Sequence, residues 1–505
     1  MCLKWITKCN IIFLIVGAVV LAVGCALIKV FHDMIISKVK STLPLVQGTS
    51  TYNDWVEPPV PIYFQIWVYD VINPEEVVNK GERPAVVQRG PYTYREKRHK
   101  QNITSYDNGT IAYRETRTFI FDRAKSVGPE TDNFTTANIL MVTIADLLER
   151  EYSFIQELAE IILDIGGDSN LFTTLSVRGI MWGYEDPLLK TVNDILKRYN
   201  QSTIDDRFGL FYKQNGTDDG LYTIDSGTKS VDHFVEIQRW NGENKLSFWT
   251  TPTCNMINGT DGTLFPPFVD KSQTLYIFSS DICRSIYTTF HKEDTLRGID
   301  LLEFRVPPNV FLNVTANPAN TGFCTPADNC FPSGLLNVAS CRSGAPVIMS
   351  QPNFLAADPK VIDSVVGIHP DPEQHSTLIA VEPMTGVVMN AQKKLQVDIL
   401  IKKINHIRDT RNLKLMFFPI LWLNESAVIT EKAANDFKSA VQTPLKITQT
   451  VQYGLIIIGA FILICTLALI IKNKFSYNDE DDEEVVKCTK KPASVNPSES
   501  TKLLS

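Results

Sequence analysis

The 505-residue sequence is long enough for one large domain or several smaller ones. Its formal net charge is −7, and its pI near 5.6 argues against a nucleic-acid partner, because nucleic-acid-binding domains are usually basic. The sequence contains no phosphate loop, no Gly-rich dinucleotide fingerprint, no Gly-x-Ser-x-Gly elbow and no His-Glu-x-x-His motif. We therefore predict that the protein is not an enzyme and uses neither a cofactor nor a metal.

Two uncharged apolar runs, Ile11–Ile28 and Gly454–Ile471, predict one membrane-spanning helix near each end of the chain. At 1.5 Å per residue each run is about 27 Å long, close to the thickness of the hydrocarbon core of a bilayer. A cleaved signal peptide is the alternative for the first run, because Lys4 and Lys8 form a basic segment before it. The run exceeds the roughly 7–15 apolar residues of a signal peptide, which favours a retained helix.

Lys472 and Lys474 directly follow the second run, as expected of a stop-transfer segment. Positive charge on the outer flank of both runs favours a cytoplasmic location for both ends of the chain. We therefore predict five segments: a cytoplasmic N-terminus at 1–10, a transmembrane helix at 11–31, a glycosylated lumenal domain at 32–452, a transmembrane helix at 453–471 and a cytoplasmic tail at 472–505.

Eight Asn-x-Ser/Thr sequons lie between the two runs, and none lies outside them. Glycosylation needs a solvent-facing asparagine on the lumenal side, so this distribution predicts a folded, sugar-coated domain there. Three of the asparagines, Asn108, Asn215 and Asn258, precede glycine and are predicted tips of β-hairpins. The predicted glycosylation sites are Asn102, Asn108, Asn133, Asn200, Asn215, Asn258, Asn313 and Asn424.

Five of the ten cysteines lie in the predicted lumenal domain, and the others lie in or beside the predicted helices and tails. An oxidising lumen would pair most of the five, and their odd number leaves at least one thiol free or bound to another chain. Zinc binding is the competing interpretation, but there is no Cys-x-x-Cys pair and no nearby His-x-x-x-His. The five are Cys254, Cys283, Cys324, Cys330 and Cys341.

Alternating apolar and polar residues, separated by Pro, Asn-Gly and Asp-Gly turns, predict that much of the lumenal domain is antiparallel sheet. No linker, repeat or low-complexity segment interrupts it, which favours one large domain. With the helices described next, the predicted fold class is α+β. The predicted strands include Tyr63–Asp70, Leu221–Ile224, Leu275–Phe278, Leu395–Ile401 and Leu415–Leu423.

Apolar residues at helical spacing predict an amphipathic helix over Asn138–Asp164, which Gly166 and Gly167 end. Its other face carries six acids and one arginine, a net charge of −5. A solvated acidic face over an ordinary core stripe is one interpretation of this pattern, and a partner-binding surface is the other. A second helix is predicted at Leu188–Tyr199. The candidate partner-binding residues are Leu147, Leu148, Tyr152 and Ile155.

The C-terminal tail ends with a leucine pair, Leu503 and Leu504, and Glu499 lies four positions before the pair. Clathrin adaptors bind this pattern as a short extended peptide with one charge and an apolar anchor. The pattern also arises by chance, but an exposed cytoplasmic tail is where a sorting signal acts. We therefore predict that these three residues form a sorting signal.

Five sequence motifs together resemble the class B scavenger receptor family, and the resemblance covers almost the whole chain. Within the family, the segment from Gly322 to Cys330 is similar to the lysosomal branch, whereas the plasma-membrane lipoprotein receptors carry Cys-Pro-Cys there. The terminal dileucine favours the same branch. The motifs are Gly90-Pro-Tyr-Thr-Tyr-Arg-Glu, Met181-Trp-Gly-Tyr, Phe208-Gly-Leu-Phe, Cys254-Asn-Met-Ile-Asn-Gly-Thr, and Gly322-Phe-Cys onward to Gly344-Ala-Pro.

The resemblance implies an antiparallel β-barrel ectodomain with a lipid tunnel and an apical helical bundle, and one transmembrane helix at each end. It also implies the disulfides Cys283–Cys341 and Cys324–Cys330, with Cys254 free. The lysosomal branch delivers a lumenal hydrolase, β-glucocerebrosidase, and grips it with an apical helix that corresponds by position to Asn138–Asp164. The implied partners are this hydrolase, lipids such as cholesterol and phospholipid, clathrin adaptors and the membrane. Assembly into a homo-oligomer is a further alternative.

The lysosomal branch is expected to use a histidine on its apical helix to release cargo in acid. None of the seven histidines of this sequence lies on the predicted helix, and Tyr152 stands near the expected position. A pH response would therefore have to use carboxylates, whose unperturbed pKa is about 4.3 for glutamate.

Three functions are compatible with these features to different degrees. The first is a receptor of the late-endosome and lysosome membrane that sorts a hydrolase and conducts lipid. The second is a plasma-membrane scavenger receptor for lipoprotein or other lipid ligands, although the acidic helix would repel anionic particles. A ligand-gated channel is disfavoured, because the two apolar runs carry only Thr466 and cysteines as polar residues.

Overall fold

The structure, a computed structural model, describes residues 2–148, 170–198, 205–342, 344–403 and 408–488. The chain forms two compact units. The anchor unit consists of Met1–Lys38 and Phe437–Ser505, and the barrel unit consists of Val39–Asp436.

The described residues form ten α-helices and several short helical turns. The helices are α1 (Cys2–Thr42), α2 (Ser50–Val56), α3 (Pro74–Lys80), α4 (Ile139–Leu148), α5 (Val177–Trp182), α6 (Pro187–Arg198), α7 (Pro359–Ile362), α8 (Pro372–His375), α9 (Glu431–Phe437) and α10 (Thr443–Cys488), with a π-helical turn at Lys438–Gln442. The 3-10 turns are Arg123–Lys125, Val231–His233, Pro308–Phe311, Pro318–Phe323, Ala339–Cys341, Pro352–Phe354 and Arg408–Thr410.

Seventeen strands lie in the described residues. They are β1 (Ile62–Val71), β2 (Val86–Ser105), β3 (Thr110–Phe121), β4 (Asn133–Ala137), β5 (Phe172–Ser176), β6 (Tyr184–Glu185), β7 (Arg207–Phe208), β8 (Thr217–Asp225), β9 (Ile237–Trp240), β10 (Leu275–Ser279), β11 (Arg284–Leu296), β12 (Ile299–Arg305), β13 (Leu335–Asn337), β14 (Val347–Ser350), β15 (Leu378–Val381), β16 (Val388–Ile401) and β17 (Met416–Val428).

The anchor unit contains the two long apolar helices that the sequence predicts, one near each end of the chain. Apolar side chains such as Phe13 and Phe461 are exposed on them, which suits helix surfaces that face lipid. Within this unit α1 and α10 pack closely where glycine replaces a side chain. A Cβ atom on Gly459 would lie only 2.6 Å from the backbone nitrogen of Leu21, so glycine is needed at this crossing.

The barrel unit is built on one large antiparallel sheet, as predicted. Eleven of its strands follow one another in the order β10-β11-β12-β15-β16-β17-β1-β2-β3-β8-β9. The strands β13 and β14 form an additional hairpin that pairs with β16. The predicted α+β class and antiparallel barrel are therefore confirmed.

A short loop segment nearly closes the barrel between its two edge strands, β9 and β10. The amide of Ile237 in β9 donates to the carbonyl oxygen of Gly259 (2.8 Å), and the amide of Thr260 donates to the carbonyl oxygen of Tyr276 in β10 (3.2 Å). Gly259 has φ +80°, and a Cβ atom there would lie 1.9 Å from the Tyr276 carbonyl oxygen. Only glycine fits this close approach, so it bridges strand edges that would otherwise be unpaired.

The chain enters and leaves the barrel unit at the same end, because β1 begins where β17 finishes. Ile62 at the start of β1 pairs with Ala427 near the end of β17. We call this the root end of the barrel and the opposite end the far end. At the far end, the Phe172 ring contacts Phe418 near the start of β17, with 5.8 Å between ring centroids.

Part of the predicted helical bundle lies among the described residues. The helix α6 agrees closely with the predicted helix at Leu188–Tyr199. The longer predicted helix, Asn138–Asp164, is described only as α4, since residues 149–169 lie outside the described part of the chain.

Only one of the three predicted hairpin tips is a hairpin tip. Asn108 lies in the tight turn between β2 and β3. The Asn215 side chain instead accepts a hydrogen bond from the amide of Phe119 (2.9 Å) and lies along β3. Asn258 lies in the loop segment that closes the barrel. The Asn-Gly pairs at Asn108 and Asn215 lie in turns, whereas the pair at Asn258 lies at a bend, and longer-range contacts decided the strand pairing.

The sequons differ in their exposure. Asn102, Asn108, Asn133 and Asn215 are exposed, Asn258 and Asn313 are half-buried, and Asn200 lies outside the described residues. Asn424 is 8% exposed, within β17, and its amide donates to the Gln65 side chain on β1 (3.1 Å). The expectation that every sequon faces solvent is therefore wrong for Asn424, because its side chain packs between neighbouring strands.

We predict that Asn424 carries no sugar in the folded protein. Ser426→Ala removes its sequon and leaves Asn424 in place, so the gel mobility before and after enzymatic deglycosylation should match that of the wild type. Thr104→Ala removes the exposed Asn102 sequon and should increase mobility by one glycan step. Loss of a glycan step in Ser426→Ala would contradict the prediction.

Candidate functional site

The structure brings together none of the sequence-predicted functional residues outside the cysteines. Leu147 and Leu148 form the end of α4, but their side chains lie outside the described part of the structure, as do Tyr152 and Ile155 entirely. The tail residues Glu499, Leu503 and Leu504 also lie outside the described residues. Partner binding and sorting by these residues stay predictions.

The cysteines of the barrel unit pair as the resemblance implies. Cys283 is bonded to Cys341, and Cys324 is bonded to Cys330. Cys254 is a buried free thiol. The Cys283–Cys341 disulfide contributes to the wall of an internal cavity and ties the β10–β11 turn to the 3-10 turn Ala339–Cys341.

The cavity lies inside the barrel and has a volume of about 350 Å³. Its apolar wall includes Phe64, Phe119, Phe211, Leu395, Val397 and Leu423. Its charged lining includes Arg117, Asp219, Asp281, Arg342, Lys393 and Glu425. The cavity therefore combines an apolar wall with a charged region, which is a chemistry suited to an amphiphilic molecule.

Strand alternation explains how apolar and charged side chains reach the same space. Lys393, Leu395 and Val397 are alternate residues of β16, and all three line the cavity. On β17 the lining residues are Leu423 and Glu425, and Glu425 pairs in register with Lys393. On both strands the charged residue lies nearer the root end and the apolar residues lie beyond it.

The charged lining belongs to a longer set of ion pairs that joins β2, β3, β8, β16, β17 and the β10–β11 turn, which we call the charge chain. Arg117 pairs with Asp219 and lies 3.8 Å from Asp281. Lys393 pairs with Asp281 and lies 3.9 Å from Glu425. Glu425 also pairs with Arg98, which begins the second half of the charge chain.

Three carboxylates surround Arg98. Besides Glu425, the guanidinium contacts Glu96 at 2.7 Å and Glu115 at 3.6 Å, and Glu115 also pairs with Lys100. The charge chain thus contains five carboxylates and four cations: Asp219, Asp281, Glu425, Glu96 and Glu115 against Arg117, Lys393, Arg98 and Lys100. Arg342, which also lines the cavity and lowers the pKa of Asp281, is a fifth cation near these carboxylates, so a proton binds only where burial outweighs the neighbouring positive charges.

Glu96 is the carboxyl on which that proton fits best. It is 2% exposed, and its Oε2 atom has no hydrogen-bond partner among the described residues. Burial raises the pKa of Glu96 to about 7 against the opposing charge of Arg98, and the Glu425 charge adds to the rise. Glu115 behaves differently: although burial acts against it, Lys100 and Arg98 lower its pKa to about 2.

A second buried carboxyl, Asp398, lies on β16 in a separate polar network. It accepts hydrogen bonds from Ser350 (2.6 Å) and Gln396 (2.8 Å), and the Tyr69 hydroxyl donates to Gln396 (2.7 Å). Burial raises the pKa of Asp398 to about 7, and the two hydrogen bonds only partly oppose it. Both Glu96 and Asp398 therefore change charge between a mildly acidic and a neutral solution.

Sequence reasoning missed the charge chain. The segment Glu96–Lys100 is charged or titratable at every position, a pattern typical of an exposed strand. In the structure its members alternate: Lys97 and His99 are exposed, whereas Glu96, Arg98 and Lys100 have side chains at most 8% exposed. Charged residues at every second position were the available signal, but their partners Glu115 and Glu425 lie on other strands.

We predict that acid stabilises the barrel between neutral pH and about pH 5. The folded state holds protons on Glu96 and Asp398 more tightly than the unfolded state, so stability is greatest below their unfolded pKa and is lost as pH rises through about 7. Each unit of raised pKa is worth about 1.4 kcal/mol per group. The melting temperature of the full chain in detergent should therefore be higher at pH 5 than at pH 7.5.

The substitutions Glu96→Gln and Asp398→Asn should each reduce this pH dependence, because the amide is neutral at both pH values. The control is Glu243→Gln, which changes an exposed side chain. A melting temperature that rises from pH 5 to pH 7.5, or a pH dependence that both buried substitutions leave unchanged, would contradict the prediction.

Comparison with known proteins identifies one family over nearly the whole chain, the family that the sequence motifs resemble. The profile of the CD36 family matches residues 15–470. Lysosome membrane protein 2 is 38% identical in Homo sapiens and 37% identical in Mus musculus, each over 452 residues that cover 89% of this chain and 91% of the relative. Scavenger receptor class B member 1 of Cricetulus griseus is 35% identical over 450 residues, 89% of this chain and 87% of the relative.

These matches extend across both long apolar helices and the barrel between them. Members of the family are receptors and not enzymes, in agreement with the absence of catalytic motifs from the sequence. With its two terminal spans and its near-closed antiparallel barrel, the chain belongs to the CD36 family of membrane receptors.

Proposed function

We propose that the chain is a receptor of the late-endosome and lysosome membrane that binds a lumenal hydrolase for delivery and conducts lipid through its barrel. The observation that carries the lipid function is the cavity of about 350 Å³ inside the barrel. Pockets of about 300–1,000 Å³ commonly hold small molecules. The apolar wall suits a sterol or acyl chain, and the charge chain at the root end suits a polar head group.

Two observations support an acidic compartment. The relatives at 37–38% identity carry the name lysosome membrane protein 2. In addition, the raised pKa values of Glu96 and Asp398 make both buried carboxyls mainly neutral in acid. A neutral buried carboxyl destabilises the folded state less than a charged one. A barrel with such groups is better suited to an acidic lumen than to neutral surroundings.

The hydrolase would bind at the far end of the barrel through the acidic amphipathic helix that begins with α4. The first half of α4 is fixed in the core, since Ile139, Met141 and Val142 are at most 3% exposed. The Asn138 side chain accepts a hydrogen bond from the amide of Met141 (3.0 Å) and caps the helix. The firm attachment of α4 to the core supports the proposal that Leu147 and Leu148, together with the predicted residues Tyr152 and Ile155, contact a partner, by resemblance β-glucocerebrosidase.

Filling the cavity should reduce lipid binding. Leu423→Trp adds a large side chain to the apolar wall, and we expect at least a fivefold loss of labelling by a photoactivatable cholesterol in the detergent-solubilised full chain. The matched control is Val428→Trp on the same strand, where the side chain is 37% exposed. Equal melting temperatures would show that both variants fold. Undiminished labelling of a folded Leu423→Trp protein would remove the support for a lipid path.

The location of the tagged protein distinguishes the lysosomal function from the alternative, a cell-surface scavenger receptor, which the 35% identical class B member supports. We expect the wild type in lysosomes together with β-glucocerebrosidase. Replacement of Leu503 and Leu504 by alanine should move the receptor to the cell surface and deplete lysosomal hydrolase. Lys502→Ala serves as the control, because this neighbouring residue supplies neither the acidic group nor a leucine of the signal. Surface location of the wild type would favour lipoprotein or other lipid uptake instead.

A further inference from the structure

A second, smaller cavity of the barrel unit contains a buried cation without an acidic partner. Arg284, the first residue of β11, is 5% exposed. No described carboxylate lies within ion-pair distance of its guanidinium, in contrast to Arg98 and Arg117 of the charge chain. Burial without a compensating charge lowers the pKa of Arg284 to about 10, so the side chain still carries its charge at physiological pH.

The protein groups around Arg284 satisfy the guanidinium only in part. Its Nε donates to the carbonyl oxygen of Ser285 at 3.3 Å, and its Nη1 donates to the carbonyl oxygen of Val310 at 3.4 Å. Both are long for hydrogen bonds, and Nη2 donates to no described residue. A guanidinium has five N–H donors in one plane, so most of its donor capacity stays unused.

Aromatic rings contact the flat face of the Arg284 guanidinium and stabilise its positive charge, but they do not cover the edge that carries its N–H groups. The guanidinium lies 3.7 Å from the centre of the Phe323 ring and 5.6 Å from that of Phe311. A cation–π contact uses the flat face of the guanidinium, whereas its N–H groups project from the edge. The thiol of the nearby Cys254 donates to the Ala319 carbonyl oxygen (3.6 Å).

Arg284 lines a cavity of about 30 Å³ whose lining contains no acidic residue. A single water needs roughly 10–15 Å³ of such space, so the cavity has room for a small ion or two waters. Its walls include the Cys324–Cys330 disulfide and the apolar side chains of Val310 and Leu336, and the disulfide holds one wall in place.

From this geometry we propose that the cavity beside Arg284 binds one small monovalent inorganic anion, with chloride as the physiological ion. One negative charge neutralises the single buried cation, whereas a divalent phosphate or sulfate would leave an excess negative charge in a lining that contains no second cation. A volume of about 30 Å³ suits a small ion better than the carboxylate of a peptide or a lipid. The site is separate from the larger cavity, because the two share no lining residue.

The direct test is crystallisation of the full chain in sodium bromide, with anomalous scattering as the readout. We expect a bromide peak within about 3.5 Å of the Arg284 guanidinium, a usual distance for a hydrogen bond to a large halide. Ordered density without anomalous signal would mean that the cavity holds water only and would overturn the proposal. This measurement needs no variant, so it decides the question even if Arg284 is required for folding.

A solution test compares sodium chloride with sodium gluconate at constant ionic strength, since gluconate is too large for the cavity. The melting temperature of the wild type should rise with chloride, and Arg284→Met should lose the rise. The control is Arg305→Met, which removes a little-exposed arginine that has its own carboxylate partners, Glu303 and Glu373. The same chloride effect in Arg284→Met as in the wild type would overturn the proposal.

Discussion

The pairing of β1 with both β2 and β17 is the constraint on which the barrel unit depends. Ile62 lies opposite Glu96 of β2 on one side and opposite Ala427 of β17 on the other. Joining strands from the two ends of the unit carries a loop-closure cost that only many hydrogen bonds and a large buried surface can offset. The pairing brings the entering and leaving segments of the chain to one end, as two anchors in the same membrane require.

The same pairing creates the charge chain. It places Glu96 and Glu425 on the two strands that flank β1, so Arg98 can contact both. Buried ion pairs seldom stabilise a protein more than well-packed apolar residues would, but removal of one partner costs about 3–5 kcal/mol. The charge chain is therefore better explained by the polar end that it provides to the cavity than by stability.

The buried cations described in the barrel unit are stabilised in two ways. Those of the charge chain are neutralised by carboxylates on neighbouring strands, among which Glu96 has its pKa raised by burial. Arg284 instead lies between phenylalanine rings beside a small space. Both arrangements follow from the cost of an uncompensated charge at low dielectric, which protein groups, a proton or a bound ion can reduce.

Local patterns predicted the features that depend on residues close in sequence. The two apolar runs, the helix α6 and strands such as β1 and β16 follow from hydrophobic periodicity, and these elements lie where the patterns place them. The Asn-Gly pairs predicted turns but not which strands the turns join. Asn424 matches a glycosylation sequon, yet its burial depends on Gln65, a residue far away in the chain.

The sequence by itself determined the two membrane-spanning segments, the α+β class and, through its motifs, the family. Hydropathy and periodicity are properties of consecutive residues, so they can be read without knowledge of the fold. Only the tertiary structure decided which side chains line the cavity, which carboxyls have a raised pKa and which buried arginine among the described residues lacks an acidic partner. Those properties depend on burial and on distances between strands that are remote in the chain, and no local pattern contains that information.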